Sequence, residues 1–206
     1  MLNRDVTVIV KVTNSCDMRC RYCFIEPTIF SQRMSDQTAQ RVVHAFLDSD
    51  AFDSVRFVWH GGEPLLRGPA FFARVFAEQR ACTGRVAYSN ATQTNATHLD
   101  EQMLELLLSH DVTIGLSLDG PAELTDPTRQ PRRALPIVTA GNSLRPGGSG
   151  PRSGTLRGGS AHDTTTRAAA RLQQRGVPAA AIVTVNRTNV VAPQAVYAEF
   201  RDRGIH

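Results

Sequence analysis

The stretch VTVIVKVTNSCDMRCRYCF, residues 6–24, decides how the chain is read. Its first half, Val6–Thr13, is short and β-branched, the composition of a strand. Its second half is a polar loop that places Cys16, Cys20 and Cys23 within eight residues. Outward from it the elements alternate. A helix is expected from Met34 to about Asp48, with Ser35 or Asp36 as N-cap and Val43, Phe46 and Leu47 at helical spacing. Ser54–His60 reads as a second strand, ending in Gly61-Gly62-Glu63-Pro64, and Pro69–Arg80 as a helix carrying Phe72, Val75 and Phe76. Val86–Asn95 is a third strand with an unusually polar tail; Leu99–Ser109 is a leucine-rich helix; Val112–Leu118 is a fourth strand. A helix at Thr164–Arg175, a strand at Ala180–Val185 and a helix at Pro193–Arg203 complete the series.

Strand–helix repeats with short links predict an α/β fold with a parallel sheet, and right-handed crossovers put the helices on one side if that sheet curls into a barrel or part of one. In such folds chemistry gathers at the C-terminal ends of the strands. The cysteine loop, Gly61–Pro64, Gln93–Asn95 and Ser117–Gly120 all fall there. Four separate segments therefore point to one rim.

The 206 residues suit one domain, and a hydrophobic content of 41% is ordinary for a globular protein. The apolar runs are too short to cross a bilayer and the N-terminus lacks a signal-peptide layout, so a cytoplasmic protein is expected. The net charge is +4, and Lys11 is the lone lysine. Residues 127–162 hold six arginines and no acidic residue, are rich in Pro, Gly and Ser, and exceed an ordinary α/β connection, so a flexible or disordered insert is expected there. A basic stretch can bind nucleic acid, but this one has no aromatic side chain on which a base could stack, which argues against that partner.

Four cysteines are too few and too bunched for a disulfide scaffold; three in eight residues point to metal or redox chemistry. Thiolates are the ligands of iron–sulfur clusters. Three sulfurs cannot serve all four irons of a cubane, so one iron would stay open to a non-protein ligand, as catalytic metal sites require. Zinc is the rival reading. It would want a fourth protein ligand, and Cys20-x-x-Cys23 has no second pair. Incidental buried cysteines are the remaining alternative. Cys82 stands apart near a helix end and reads as an inert thiol, and His60 as a hydrogen-bonded structural histidine.

Cys-x-x-x-Cys-x-x-Cys followed by an aromatic, after a first strand, resembles the signature of the radical S-adenosylmethionine (SAM) superfamily. The resemblance implies a partial (β/α)6 TIM-like barrel with a [4Fe–4S] cluster on Cys16, Cys20 and Cys23. It also implies SAM cleavage to a 5′-deoxyadenosyl radical that takes hydrogen from the substrate. Gly61, Gly62, Glu63 and Pro64 resemble the family's segment that meets the SAM amino group. By the same resemblance Ser117 and Asp119 reach the ribose or carboxylate, and Arg129, ending Asp126-Pro-Thr-Arg129, pairs with the carboxylate. Asn95 and Asn186 would line the pocket, and Tyr22 would lie against the adenine. Phe57–Leu66, Gln93–Asn95 and Gly115–Pro121 are similar to one branch, the anaerobic sulfatase-maturating enzymes and SPASM-type peptide maturases. That branch implies an oxidoreductase modifying a peptide or protein side chain, fed by an electron donor such as flavodoxin or ferredoxin. Against it, residues 1–206 would form an incomplete core domain, interrupted at 127–162 and stopping before a sixth strand and a cysteine-rich domain. The substrate-side catalytic residues are not assigned. A radical SAM enzyme acting on a small molecule, and a truncated cluster-binding module without turnover, are the alternatives.

Overall fold

The structure, a computed structural model, describes residues 4–82, 84, 86–132 and 159–206. Strands β1 (Asp5–Thr13), β3 (Ser54–Gly61), β4 (Ala87–Thr94), β5 (Thr113–Ser117) and β7 (Ala180–Ile182) form a five-stranded sheet in the order β1-β3-β4-β5-β7, every neighbour parallel. The sheet is open, with β1 and β7 at its edges. The helices that return the chain between strands are α1 (Asp36–Leu47), α2 (Pro69–Ala81), α3 (Glu101–Leu108) and, after the single turn α4 (Ala122–Thr125), α5 (Ala161–Gln174); α6 (Pro193–Asp202) follows β7.

Local chemistry starts these helices. Ser35 Oγ accepts from the Thr38 amide ahead of α1, Asp100 from Met103 ahead of α3, and Ser160 from Asp163 ahead of α5. Each then buries a helical stripe: Ala39, Val43 and Leu47 on α1, and Met103, Leu104 and Leu107 on α3. These meet alternate strand residues. Val55, Phe57 and Trp59 point into one continuous core, with the Phe57 and Trp59 rings stacked at 5.6 Å. Arg56, Val58 and His60 point to the opposite face.

The polar tail of the third predicted strand has a packing reason. Asn90 is buried on β4, and its Oδ1 accepts from Trp59 Nε1 at 2.9 Å and from Gln79 Nε2 at 3.0 Å. Its Nδ2 donates to Gln79 Oε1 at 2.9 Å. Asn90→Ala strands the indole N–H and the Gln79 amide in the core, and is expected to cost about 3 kcal/mol, read from the denaturant midpoint at unchanged m-value.

Three expectations are corrected. First, residues 127–132 and 159–162 are ordered, not part of a disordered insert. Arg129–Pro131 forms β6, antiparallel to β2 (Met18–Cys20), a pairing that the short polar sequences did not signal. Helix α5 begins at Ala161 rather than Thr164, because Ser160 caps it and the His162 amide donates to Asp126 Oδ1 at 2.9 Å. The middle of the predicted insert, residues 133–158, lies outside the described residues. Second, β7 stops at Ile182 rather than Val185, since the Thr184 amide leaves the ladder for Asp119 Oδ1 at 3.0 Å. Third, Asn186 closes a local turn instead of facing the rim: its Oδ1 accepts from the Thr188 amide and its Nδ2 donates to the Thr184 carbonyl.

Candidate functional site

The C-terminal end of β1 runs straight into the cysteine loop, and the end of β3 holds that loop in place. The Gly62 amide donates to the Thr13 carbonyl at 2.7 Å and the Glu63 amide to the Ser15 carbonyl at 2.8 Å. So close an approach excludes side chains. A Cβ at Gly61, where φ is +136°, would sit 2.1 Å from the Thr13 carbonyl oxygen; one at Gly62 would sit 2.2 Å from that of Ser15. All of these obstacles are backbone. Gly62→Ala is therefore expected to displace the loop and cut iron uptake by about tenfold or more, while the circular dichroism of the helices persists.

The far side of the loop is fastened by β2 and β6. Cys20 lies opposite Arg129 in that ladder, and the Arg21 amide donates to the Thr128 carbonyl at 2.9 Å. The Cys23 amide turns back onto the Cys20 carbonyl at 3.1 Å. Asn95, at the end of β4, reaches over from the sheet: its Nδ2 donates to Asp17 Oδ1 at 3.0 Å and lies 3.7 Å from Cys16 Sγ.

These segments enclose a cavity of about 390 Å³ at the C-terminal edge of the sheet. Its wall includes Cys16, Cys20, Tyr22, Cys23, Gly61, Gly62, Asn95, Ser117 and Arg129, nine of the residues singled out from sequence. It also includes Met18, Phe24, Ile25, Ile182 and Thr184, which the sequence did not single out as site residues, together with Gln93, placed at the rim by its strand end and donating through Nε2 to Ser117 Oγ at 3.0 Å, and His60, read as a structural histidine. The signal for His60, Gln93 and Ser117 was strand alternation, which places all three opposite the helix-covered face.

Glu63, Pro64 and Asp119 are not among the wall residues; Glu63 and Asp119 brace the wall from behind. Glu63 is buried, and its carboxylate accepts from the Leu65 amide (3.0 Å), Thr94 Oγ1 (2.7 Å) and the Asn95 amide (2.8 Å). Asp119 is fully buried and accepts from Tyr22 Oη at 2.5 Å, Arg129 Nε at 2.9 Å and the Thr184 amide at 3.0 Å. The Arg129 guanidinium also stands 5.4 Å over the Tyr22 ring. Asp119 thus holds an aromatic face and a cation in the wall and has no free oxygen to offer a ligand directly.

Burial pushes the Cys16 and Cys20 thiols upward, so each favours its neutral form until a cation stabilises the thiolate. Burial also pushes Glu63 up to about 7, against the pull of its three donors. An unfolded glutamate titrates near 4.5. Between those values the folded chain keeps a proton that the unfolded chain releases. Glu63 therefore contributes fully below pH 4.5 and destabilises increasingly as pH rises to about 7, by about 3 kcal/mol. Glu63→Gln is expected to flatten that part of the stability–pH curve, measured by denaturation from pH 4 to 8.

A parallel α/β sheet with three thiols, an arginine and an aromatic face around a cavity at its C-terminal edge is an arrangement in which α/β folds place ligand sites. The chain belongs to the radical SAM superfamily, which it matches over residues 10–190. It is 28% identical over 140 residues to a serine-type anaerobic sulfatase-maturating enzyme of Bacteroides thetaiotaomicron, covering 65% of this chain and 34% of that protein. It is 30% identical over 133 residues to a cysteine-type anaerobic sulfatase-maturating enzyme of Clostridium perfringens, covering 61% and 36%. In fold it is similar to native anSMEcpe with bound AdoMet and Kp18Cys peptide, with a TM-score of 0.78 at 23% identity over 97% of this chain and 49% of that one. The chain spans about a third of these curated relatives and about half of the solved chain. Membership of the superfamily implies an iron–sulfur cluster and SAM. Among the described residues no helix is long and apolar enough to cross a membrane.

Proposed function

We propose that this chain is a core of a radical SAM enzyme that modifies a side chain of a peptide or protein. The observation that carries the proposal is the convergence of Cys16, Cys20 and Cys23 on one cavity wall with Tyr22, Asn95, Ser117 and Arg129. The donor set fits a [4Fe–4S] cluster: three thiols, and no fourth cysteine among the described wall residues, would leave one iron for SAM. Held by Cys16, Cys20 and Cys23, such a cluster would supply the electron that SAM cleavage requires, and the hydrogen-abstracting chemistry would be that of the cofactors. Everything else is positioning and shielding by the protein. Arg129, set by Asp119, presents a cation to the SAM carboxylate. Tyr22, its hydroxyl fixed on Asp119, presents a ring to the adenine. Gly61 and Gly62 line the cavity where the methionyl part would lie. Glu63 acts behind the wall, by holding the Asn95 amide.

A peptide substrate is supported by the sulfatase-maturating relatives and by the peptide bound in the solved neighbour. The same reading includes an electron donor of the flavodoxin or ferredoxin class and a reducing, cytoplasmic setting, where free thiols and clusters persist. The test is anaerobic incubation of the reconstituted, reduced chain with SAM and a sulfatase-type peptide bearing serine or cysteine at the modified position. Oxidation of serine to the aldehyde appears as a loss of about 2 Da in the peptide, matched by 5′-deoxyadenosine. 5′-Deoxyadenosine without any peptide change, across serine and cysteine peptides, would overturn the peptide assignment and leave the superfamily chemistry standing.

A further inference from the structure

A second group of potential metal ligands lies on the helical side of the molecule, away from the cysteine loop. Helices α1 and α2 pack side by side, and each presents two polar residues one turn apart near its C-terminal end. These are His44 on α1 with Asp48 at its C-cap, and Glu78 on α2 with Cys82 at its C-cap. His44 Nδ1 lies 2.7 Å from Asp48 Oδ2 and 3.6 Å from Cys82 Sγ. One donor atom from each of these three residues falls within 4.8 Å of the others. On its other edge, His44 Nε2 faces Glu78 Oε2 at 3.4 Å, and Gln40 Nε2 donates to the same oxygen at 3.0 Å.

From these positions we infer that His44 Nδ1, Asp48 and Cys82 form a site for a divalent cation of the zinc class. The donor set is mixed nitrogen, sulfur and oxygen, which is what zinc accepts and what magnesium and calcium do not favour. Tetrahedral zinc, with bonds of about 2.3 Å to sulfur and about 2.0 Å to nitrogen, sets those two ligands about 3.5 Å apart. The observed 3.6 Å already matches. The His44–Asp48 pair, hydrogen-bonded at 2.7 Å, has only to open by about 0.6 Å as the ion replaces the shared proton. Both side chains are 38–46% exposed, so they can make that move and an ion can reach them. Glu78 sits where metal-bound histidines find their outer carboxylate, on the ring nitrogen that does not touch the metal. Gly84 pins the turn after Cys82: a Cβ there would stand 2.0 Å from the Leu47 carbonyl oxygen, so the α2 exit is pressed against the α1 end that carries Asp48.

The site ties the ends of α1 and α2 together and is independent of the cluster loop. Its test uses the chain with its cluster reconstituted anaerobically, so that the loop thiols are engaged. Zinc is raised to about 100 μM, a brief pulse of alkylating reagent follows, and the peptide carrying Cys82 is quantified by mass spectrometry. Zinc is expected to slow alkylation of Cys82 by about tenfold or more in the wild type, a chelator to restore it, and His44→Ala or Asp48→Ala to abolish the protection. Both residues are surface-placed, so these variants should fold. Alkylation of Cys82 at the same rate with and without zinc would overturn the site. So would protection that survives both substitutions, since the thiol alone would then be binding the ion.

Discussion

Replacing Cys20 with alanine is expected to abolish cluster assembly and 5′-deoxyadenosine formation together. Cys20 has two positions at once. Its thiol lies in the cavity wall between Cys16 and Cys23, and its backbone pairs with Arg129 through β2 and β6. The substitution leaves the backbone pairing intact, so the chain should fold and the cavity should persist. What disappears is one of the three sulfurs. Loss of an outer partner alone typically costs a metal site 10–100-fold in affinity or activity, so removal of a ligand is expected to lower SAM cleavage by at least about a hundredfold. Iron content and the visible spectrum after anaerobic reconstitution check the first half, and product assay the second. A Cys20→Ala chain that keeps both would remove the loop from the mechanism.

The second large effect is structural and falls on Asp119. Asp119→Ala takes the partner from a guanidinium whose side chain is only 9% exposed. It also strips the acceptor from Tyr22 Oη and the Thr184 amide. Breaking a buried pair from one side leaves an uncompensated charge, which costs about 3–5 kcal/mol. The variant is expected to lose about 4 kcal/mol in denaturant unfolding, and any folded fraction to bind SAM weakly because Tyr22 and Arg129 are no longer held. Asp119→Asn keeps the shape and one acceptor oxygen but turns the other position into a donor and loses the charge, and should fall between the two. A loss below about 1 kcal/mol for the alanine variant would mean that water reaches Arg129 and that the pair does not organise the wall.

Much of the fold was legible because alternation of strand and helix is written in local composition. Val6–Thr13, Ser54–His60 and Leu99–Ser109 each declare their element through β-branching or a leucine stripe, and the parallel order follows from the short helical links. The rim was legible for a different reason: in a parallel sheet the residues after each strand end share one edge, whatever their separation in sequence. Local reading could not supply long-range pairing. The β2–β6 ladder joins residues more than a hundred positions apart and has no periodicity in three-residue strands. Asp119 and Glu63, polar residues beside glycines at strand ends, read as ligand contacts. Only burial and long-range contacts show what they touch in this fold: Asp119 accepts from Tyr22 and Arg129, and Glu63 from the Asn95 amide. Asn90 and Gln79 went unnoticed because a buried amide pair requires two elements at once. The α1–α2 cluster was invisible for the same reason: Cys82 looks inert until His44 and Asp48 are brought beside it.

The central claim is that the three loop thiols hold the cluster on which SAM is cleaved. The most direct measurement is electron paramagnetic resonance of the reconstituted, dithionite-reduced chain before and after SAM is added. The account predicts a reduced [4Fe–4S] signal whose shape changes with SAM, because the open iron gains a ligand, and the absence of that signal in Cys20→Ala. A reduced cluster whose spectrum is indifferent to SAM, or a signal that survives the loss of Cys20, would contradict it.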